Sequence, residues 1–446
     1  MGVSTRILPT TDRPPREALT FGLILLLLAD LVLVAFLRHA PALLALTAAI
    51  LAGAAFAGKI PWAVALLGVG VPVLDPINVV LNGEEAVFYA VRIVLITAIL
   101  VVFLARSERP LGLAGRLVSE PIALWAVGLG AVVWLGSAWT PSPYYAHQKV
   151  VSYLITNLLL LVGGYLVAAR HDPEDRRADA RFDAFLIAVI VFALLIALAG
   201  FINLKIHYYR FATRLNTLGI NAIWIARTMG LGLFALLAFR SMGRVRTRTV
   251  LLAAAPLIAV TILAGSRGPT LGIVFVLVLW VVFFKRSPQS RRVLWIGGIG
   301  VASLLFLLLM PEVLRDRFIQ PVTREASGLQ RLGLVKLAFE ALGHVFGPGI
   351  GTGGFSQLMR FGDMRAYPHN IVAEVGIENG LLGLAALGGF CATTLARGVR
   401  GRADPRMLAA LIGFVFAFWN AQFSGDLMAN EWIWLYAGLI AGRTRG

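Results

Sequence analysis

Apolar runs close to the thickness of a bilayer recur along the whole chain, and they constrain its fold more than any other feature. Spanning the hydrocarbon core takes roughly 20 apolar residues in a helix. Fourteen stretches qualify by composition: 19–37, 41–57, 60–81, 86–105, 119–138, 149–169, 182–202, 219–239, 249–265, 268–285, 292–310, 371–396, 406–423 and 429–442. Several are short, and 60–81 contains Asp75-Pro76, so one pair could be re-entrant. Hydrophobic residues make up 59% of the chain, well above the roughly 45–50% of soluble domains. Backbone polar groups in lipid must be satisfied within the segment, which favours helices. The expectation is an all-α, polytopic integral membrane bundle of 12–14 helices. It divides into a cytoplasmic tail (1–18), a transmembrane bundle (19–310), a large loop with helical periodicity (311–370) and C-terminal spans (371–446). No small-residue cleavage site follows the first run, so 19–37 reads as a retained span.

The formal net charge of +17 raises the question of nucleic acid, and the placement of the charge answers it. More than half of the 40 lysines and arginines cluster in alternate connections, at 6–16, 106–116, 170–181, 240–248, 285–292, 397–406 and 443–445. With the N-terminus inside, every cluster falls on the cytoplasmic side, as the positive-inside rule requires. No nucleic-acid partner is expected; the bilayer accounts for the charge. The single cysteine, Cys391, lies in an apolar run, so neither a disulfide framework nor a thiolate metal site is available.

The opposite face carries 137–148 (SAWTPSPYYAHQ), which reads as a Pro- and aromatic-rich turn cluster, together with 203–219, the short corner 265–268, the 311–370 loop and 424–426. Polar and titratable residues concentrate there between Gly347 and Leu384, in GPGIGTGGFSQLMRFGDMRAYPHNIVAEVGIENGLLGL. The glycine run resembles a phosphate loop but lacks the Lys-Ser/Thr ending and a preceding strand, so a tightly turned or flexible loop is the better reading. Arg267 in AGSRGPTLG, Arg214 in TRLNTLGIN and His369 share this face. An arginine at a helix end often only snorkels to headgroups, and a histidine before a span often only caps it. Together, however, two guanidinium forks suit a diphosphate, and a histidine can take a proton from a hydroxyl. Asp30, Arg92 and Arg227 fall within spans, where charge must face protein or water; Arg227 is a candidate to line the same cavity as Arg214. Glu374 and Glu378, at i and i+4, share a helix face near His369 and could pair with an arginine, for example, without entering the chemistry. His39, His147, His171, His207 and His344 show no metal-ligand spacing, and no cofactor is expected.

PHNIVAEVGIENGLLGL, with its His-Asn pair, Glu-x-Gly and Gly-Leu at the start of a span, resembles the signature of the bacterial O-antigen ligase and O-antigen polymerase family, lipid-linked glycan transferases related to protein O-oligosaccharyltransferases. SAWTPSP, TRLNTLGIN, AGSRGPTLG and the segment from Gln330-Arg331 through GHVFGPGIGTGGF resemble further family elements in the same order, covering about 119–440. The resemblance implies that His369 is the catalytic histidine and that Arg214 and Arg267 hold the substrate diphosphate. Asn370, Glu374, Arg331 and Arg227 are candidate supporting residues. It implies a glycan donor on a polyprenyl (undecaprenyl) diphosphate and an acceptor hydroxyl on lipid A-core or a lipid-linked oligosaccharide. The setting would be the periplasmic face of a bacterial inner membrane, and the transfer metal-independent and inverting. The rival reading is a secondary transporter or flippase of lipid-linked glycans, which would also carry intramembrane charge.

Overall fold

A computed structural model describes residues 60–68, 115–170, 175–207, 221–281, 326–343 and 347–444. The expected spans at 19–37, 41–57, 86–105 and 292–310 lie outside the described residues, as do Asp30, Arg92 and Arg214. Among the described residues all regular structure is helical: α1 (Ile60–Gly68), α2 (Pro121–Gly136), α3 (Pro143–Val151), a π-helical turn (Ser152–Asn157), α4 (Leu158–Ala168), α5 (Arg176–His207), α6 (Ala222–Ser241), α7 (Thr247–Ala264), α8 (Arg267–Leu279), α9 (Ala326–Leu342), α10 (Phe355–Leu358), α11 (Ile371–Arg400), α12 (Pro405–Ala421) and α13 (Trp432–Arg443). Five continuous helices are long and apolar enough to cross a membrane: Pro143–Ala168, Arg176–Ile202, Ala222–Ser241, Thr247–Ala264 and Ile371–Arg400. The all-α polytopic expectation is borne out.

The helix boundaries follow from local chemistry. Gly265 takes the left-handed conformation (φ +56°) and ends α7, and α8 begins two residues later at Arg267. The tight corner seen in the sequence is therefore a helix end abutting a helix start. Asn370 caps α11, its side-chain oxygen accepting from the Ala373 N–H at 2.9 Å. One reading needs correction. The segment 137–148 was expected to be a turn cluster, but helix begins at Pro143. Proline suits the first helical position because its missing N–H is unpaired there anyway. The next two N–H groups, of Tyr144 and Tyr145, donate to Asp363 at 2.9 and 3.0 Å. A carboxylate far along the chain thus caps α3, where the helix dipole also favours negative charge.

The glycine-rich stretch is tightly turned and buried in protein. Gly349, Gly351 and Gly353 have φ of +79°, +93° and +77°. It wedges into α11 at Gly380, whose φ of +61° and ψ of −153° break the helix. The N–H groups of Ile350 and Gly351 donate to the carbonyls of Ile377 and Glu378, both at 3.0 Å, so the broken turn is completed by the loop. Thr352 fastens it to α2, its hydroxyl donating to Val133 O at 2.7 Å and accepting from Asn379 at 2.8 Å. Irregular backbone within a membrane bundle is tolerated where it is buried in protein or lines a water-filled cavity, and here protein groups take its polar atoms.

The core centres on α13, which packs along α4 and is buried on nearly all sides. Close approach there depends on a residue without a side chain: a Cβ at Gly438 would lie 2.0 Å from Leu161 O. Small residues at helix contacts serve this purpose in membrane proteins. At one end of the bundle, Arg170, Arg244, Arg406 and Arg443 pair with Asp179, Asp183 and Asp404 at 2.5–3.6 Å, and Arg397 pairs with Glu120. This is the end of the arginine-rich connections. The other end gathers the starts of α3, α6, α8, α11 and α13 with the ends of α2, α7 and α12, and it holds the site.

Candidate functional site

At this second end a cavity of about 360 Å³ opens between α6, α8, α9, the turn before α11, and the end of α12 with the connection after it. Arg227, Arg267, Arg331, His369 and Asn370 all line it, and among the described lining residues there is no carboxylate. Five of the residues singled out in the sequence therefore meet in one place. Its remaining wall is mainly apolar, with Leu271, Leu332 and Phe423 also well exposed outside. A cationic floor with an apolar, outward-facing flank is an amphipathic site.

Each cation is delivered by a helix terminus or a buried helix face. Arg267 is the first residue of α8 and Arg331 lies on α9. Arg227 is buried in α6, with only 3% of its surface exposed. Its guanidinium donates to Asn430 Oδ1 at 3.3 Å and to the carbonyls of Asn420 and Ser424 at 3.0 Å. These are neutral acceptors; no carboxylate pairs with it among the described residues. Its Nε is buried without a partner. Burying a guanidinium without a counter-charge is costly, so the arrangement favours an anion in the cavity.

His369 stands immediately before the Asn370 cap, with φ of +61°. A left-handed conformation at a residue other than glycine is strained and often marks a functional position. Asn370 holds the turn from the other side, donating to Gln422 O at 3.4 Å. The ring of Tyr367 packs edge-on against the imidazole, 4.6 Å between centroids. Nδ1 is buried without a hydrogen-bond partner. Burial, followed by the nearby Arg331 cation, lowers the pKa of His369 from 6.5 to about 4. The imidazole is therefore neutral at physiological pH and able to accept a proton.

Beneath the cavity lies a polar cluster that the sequence did not reveal. Glu374 and Glu378 do find a cation, but it is Lys149 rather than an arginine: Nζ lies 2.6 Å from a carboxylate oxygen of each. All three side chains are buried, and none lines the cavity. Glu374 also accepts the Leu427 N–H, at 3.1 and 3.2 Å. Asp426, next in the chain, accepts from Tyr145 Oη at 2.9 Å and receives both arms of Arg365 at 2.9 Å. Burial pushes the Asp426 carboxyl up, but Arg365, joined by the Lys149 charge and the Ala429 N–H, more than offsets this and holds it below the usual carboxylate range. Burial and the Asp426 charge raise the pKa of Tyr367, which keeps its phenol protonated. The 422–431 connection, which supplies Ser424 and Asn430 to Arg227, is thus fastened by groups from α3, α11 and the loop before His369. Glu374 acts through this framework and not through the cavity.

A second cavity, of about 340 Å³, adjoins the first and shares Ile223, Arg227 and Ser424 with it.

Fold and site together define a polytopic membrane protein with a cationic, histidine-bearing cavity at one end of its bundle. Residues 249–388, from α7 into α11, match the family described as O-antigen ligase, and this bears out the family resemblance read from the sequence. The matched stretch contains Arg267, Arg331, His369, Asn370 and Glu374 and supports an O-antigen ligase-type membrane glycosyltransferase. No curated protein matches the chain.

Proposed function

We propose that the chain transfers a glycan from a polyprenyl (undecaprenyl) diphosphate to a hydroxyl of an acceptor glycan, on lipid A-core or a lipid-linked oligosaccharide, at the periplasmic face. The observation that carries this reading is one cavity holding three arginines and a neutral histidine beside an exposed apolar flank. A lipid-linked diphosphate has the matching chemistry: two phosphates for the guanidinium forks and a hydrocarbon chain for the flank of Leu271, Leu332 and Phe423. Arg267, Arg331 and Arg227 offset the charge that grows on the diphosphate as its bond to sugar C1 breaks. Arg214, outside the described residues, is proposed for the same role on the family resemblance. The acceptor oxygen attacks C1 from the face opposite the leaving diphosphate, so the configuration inverts. Its proton passes to the neutral imidazole of His369 and then to solvent or the departing diphosphate. No carboxylate lines this cavity among the described residues, and the mechanism assigns no step to a metal.

Purified protein in lipid nanodiscs, given lipid-linked glycan and acceptor, is expected to form glycosylated acceptor and release polyprenyl diphosphate. In sealed vesicles, movement of intact lipid-linked glycan across the bilayer without transfer would establish the transporter reading instead.

A further inference from the structure

The second cavity differs from the first in chemistry. Its described lining has only Ile223 and Ala429 as aliphatic side chains; the rest is aromatic or polar, with Trp224, Tyr367, Asn221 and Arg365 prominent. Arg365 is held in place by its two-armed pair with Asp426, and Trp224 by edge-on packing against Trp432 at 5.1 Å. The volume of about 340 Å³ falls within the roughly 300–1,000 Å³ of small-molecule sites. Aromatic rings beside fixed amide and guanidinium groups match a sugar ring, which offers C–H groups on its faces and hydroxyls around its edge. A lipid chain would find little apolar wall here, and of the two arginines in the lining Arg365 is already paired with Asp426 while Arg227 also lines the first cavity, where Arg267 and Arg331 join it.

We propose that this second cavity is a carbohydrate subsite, continuous with the first cavity through Arg227. Tyr367 lines the second cavity and His369 the first, so their ring contact forms part of the wall between them. A sugar seated against Tyr367 lies next to the proposed base. The occupant is either the acceptor sugar or the sugar of the donor nearest its diphosphate, and both present the same chemistry. This inference rests on the transferase reading for its place in the reaction, but not for sugar binding itself.

The test fills the cavity from its wall. Ala429→Phe adds bulk where only a methyl group lines the space, with Ala429→Leu as a milder variant. Saturation-transfer NMR on the full chain in nanodiscs, with lipid-free oligosaccharide released from the source cell's envelope as probe, is expected to show sugar contact in the wild type. A loss of at least fivefold is expected in the folded variants, with inorganic pyrophosphate binding unchanged. In transfer assays a raised acceptor KM assigns the subsite to the acceptor. A raised KM for glycosylated donor, with sugar-free undecaprenyl diphosphate bound as before, assigns it to the donor. Sugar contact that is lost in the folded Ala429→Phe protein, in a wild type that performs no transfer, would uphold the subsite and overturn the transferase reading. No sugar contact in the wild type, or contact and both KM values unchanged in a folded Ala429→Phe or Ala429→Leu protein, would overturn the subsite.

Discussion

The imidazole of His369 meets the ring of Tyr367 edge-on, 4.6 Å between centroids and 65° between planes. This contact, together with the Asn370 cap, holds a strained histidine beside three arginines without giving its buried Nδ1 a carboxylate partner. The result is a neutral imidazole in a positive field, and the predictions below follow from that arrangement and its supports.

The first concerns pH. The proposed base must be neutral, and burial with Arg331 lowers its pKa to about 4. The free enzyme should therefore remain competent between pH 5 and 6.5, where an ordinary histidine would be substantially protonated. In kcat/KM, which reports the free enzyme, the acid limb should lie near pH 4. An anionic donor offsets the Arg331 field, so the acid limb of kcat should lie higher. Arg331→Gln should move the kcat/KM limb upward. A limb near pH 6.5 that Arg331→Gln leaves unchanged would contradict this account.

The second concerns Lys149. Removing one partner of a buried ion cluster leaves uncompensated charge and costs roughly 3–5 kcal/mol. Lys149→Met should lower the melting temperature of the full chain clearly, because it strands Glu374 and Glu378. Lys149→Met/Glu378→Gln should recover part of the loss. Equal melting of the wild type and the single variant would show that the cluster is not held by this ammonium.

These supports also show where sequence reading reaches its limit. Arg267 and His369 were legible because each sits in a polar interruption beside an apolar run, and lipid leaves few reasons for such residues; Arg331, deep in the 311–370 loop, was reached only through the family resemblance. The tight corner at Gly265 was likewise written locally, whereas the cap of α11 proved to be Asn370 and not the histidine before it. Lys149 was not legible: one lysine at the edge of an apolar run reads as a headgroup contact, and its partners lie 225 and 229 positions away. Asp363 as the cap of α3 and Asp426 as the anchor of Arg365 are similar, since only the fold brings them together. The helical start at Pro143 was missed because a serine, proline and tyrosine cluster reads as a turn unless its distant cap is known.

The third prediction contrasts two glycines of α11. A Cβ at Gly380 would lie 2.0 Å from Gly347 O, at a φ of +61° that side chains resist, whereas Gly388 has open space around it. Gly380→Ala should destabilise the protein by dislodging the 347–354 loop. Gly388→Ala should be neutral or stabilising by up to ~1 kcal/mol. Thermal unfolding of both variants checks this, and equal effects would contradict the wedge described at Gly380.

The fourth concerns sidedness. In a Cys391→Ala background, Lys336→Cys, on an exposed position of α9, should react with an impermeant thiol reagent in intact cells opened only to the periplasm. Arg402→Cys, exposed at the arginine-rich end, should react only after the inner membrane is broken. The reverse pattern would put the cavity on the cytoplasmic face.

The most direct measurement is glycan transfer by purified, folded His369→Gln and His369→Ala proteins, with donor binding measured alongside. A general base contributes typically about 10²–10⁴-fold, so both variants should lose transfer by that order while binding undecaprenyl diphosphate about as well as the wild type. Arg267→Lys, which keeps the charge but loses the fork, should instead weaken donor binding and rate together. Near wild-type transfer by His369→Gln would mean that this residue only shapes the turn before α11, and would contradict the assignment of His369 as the base.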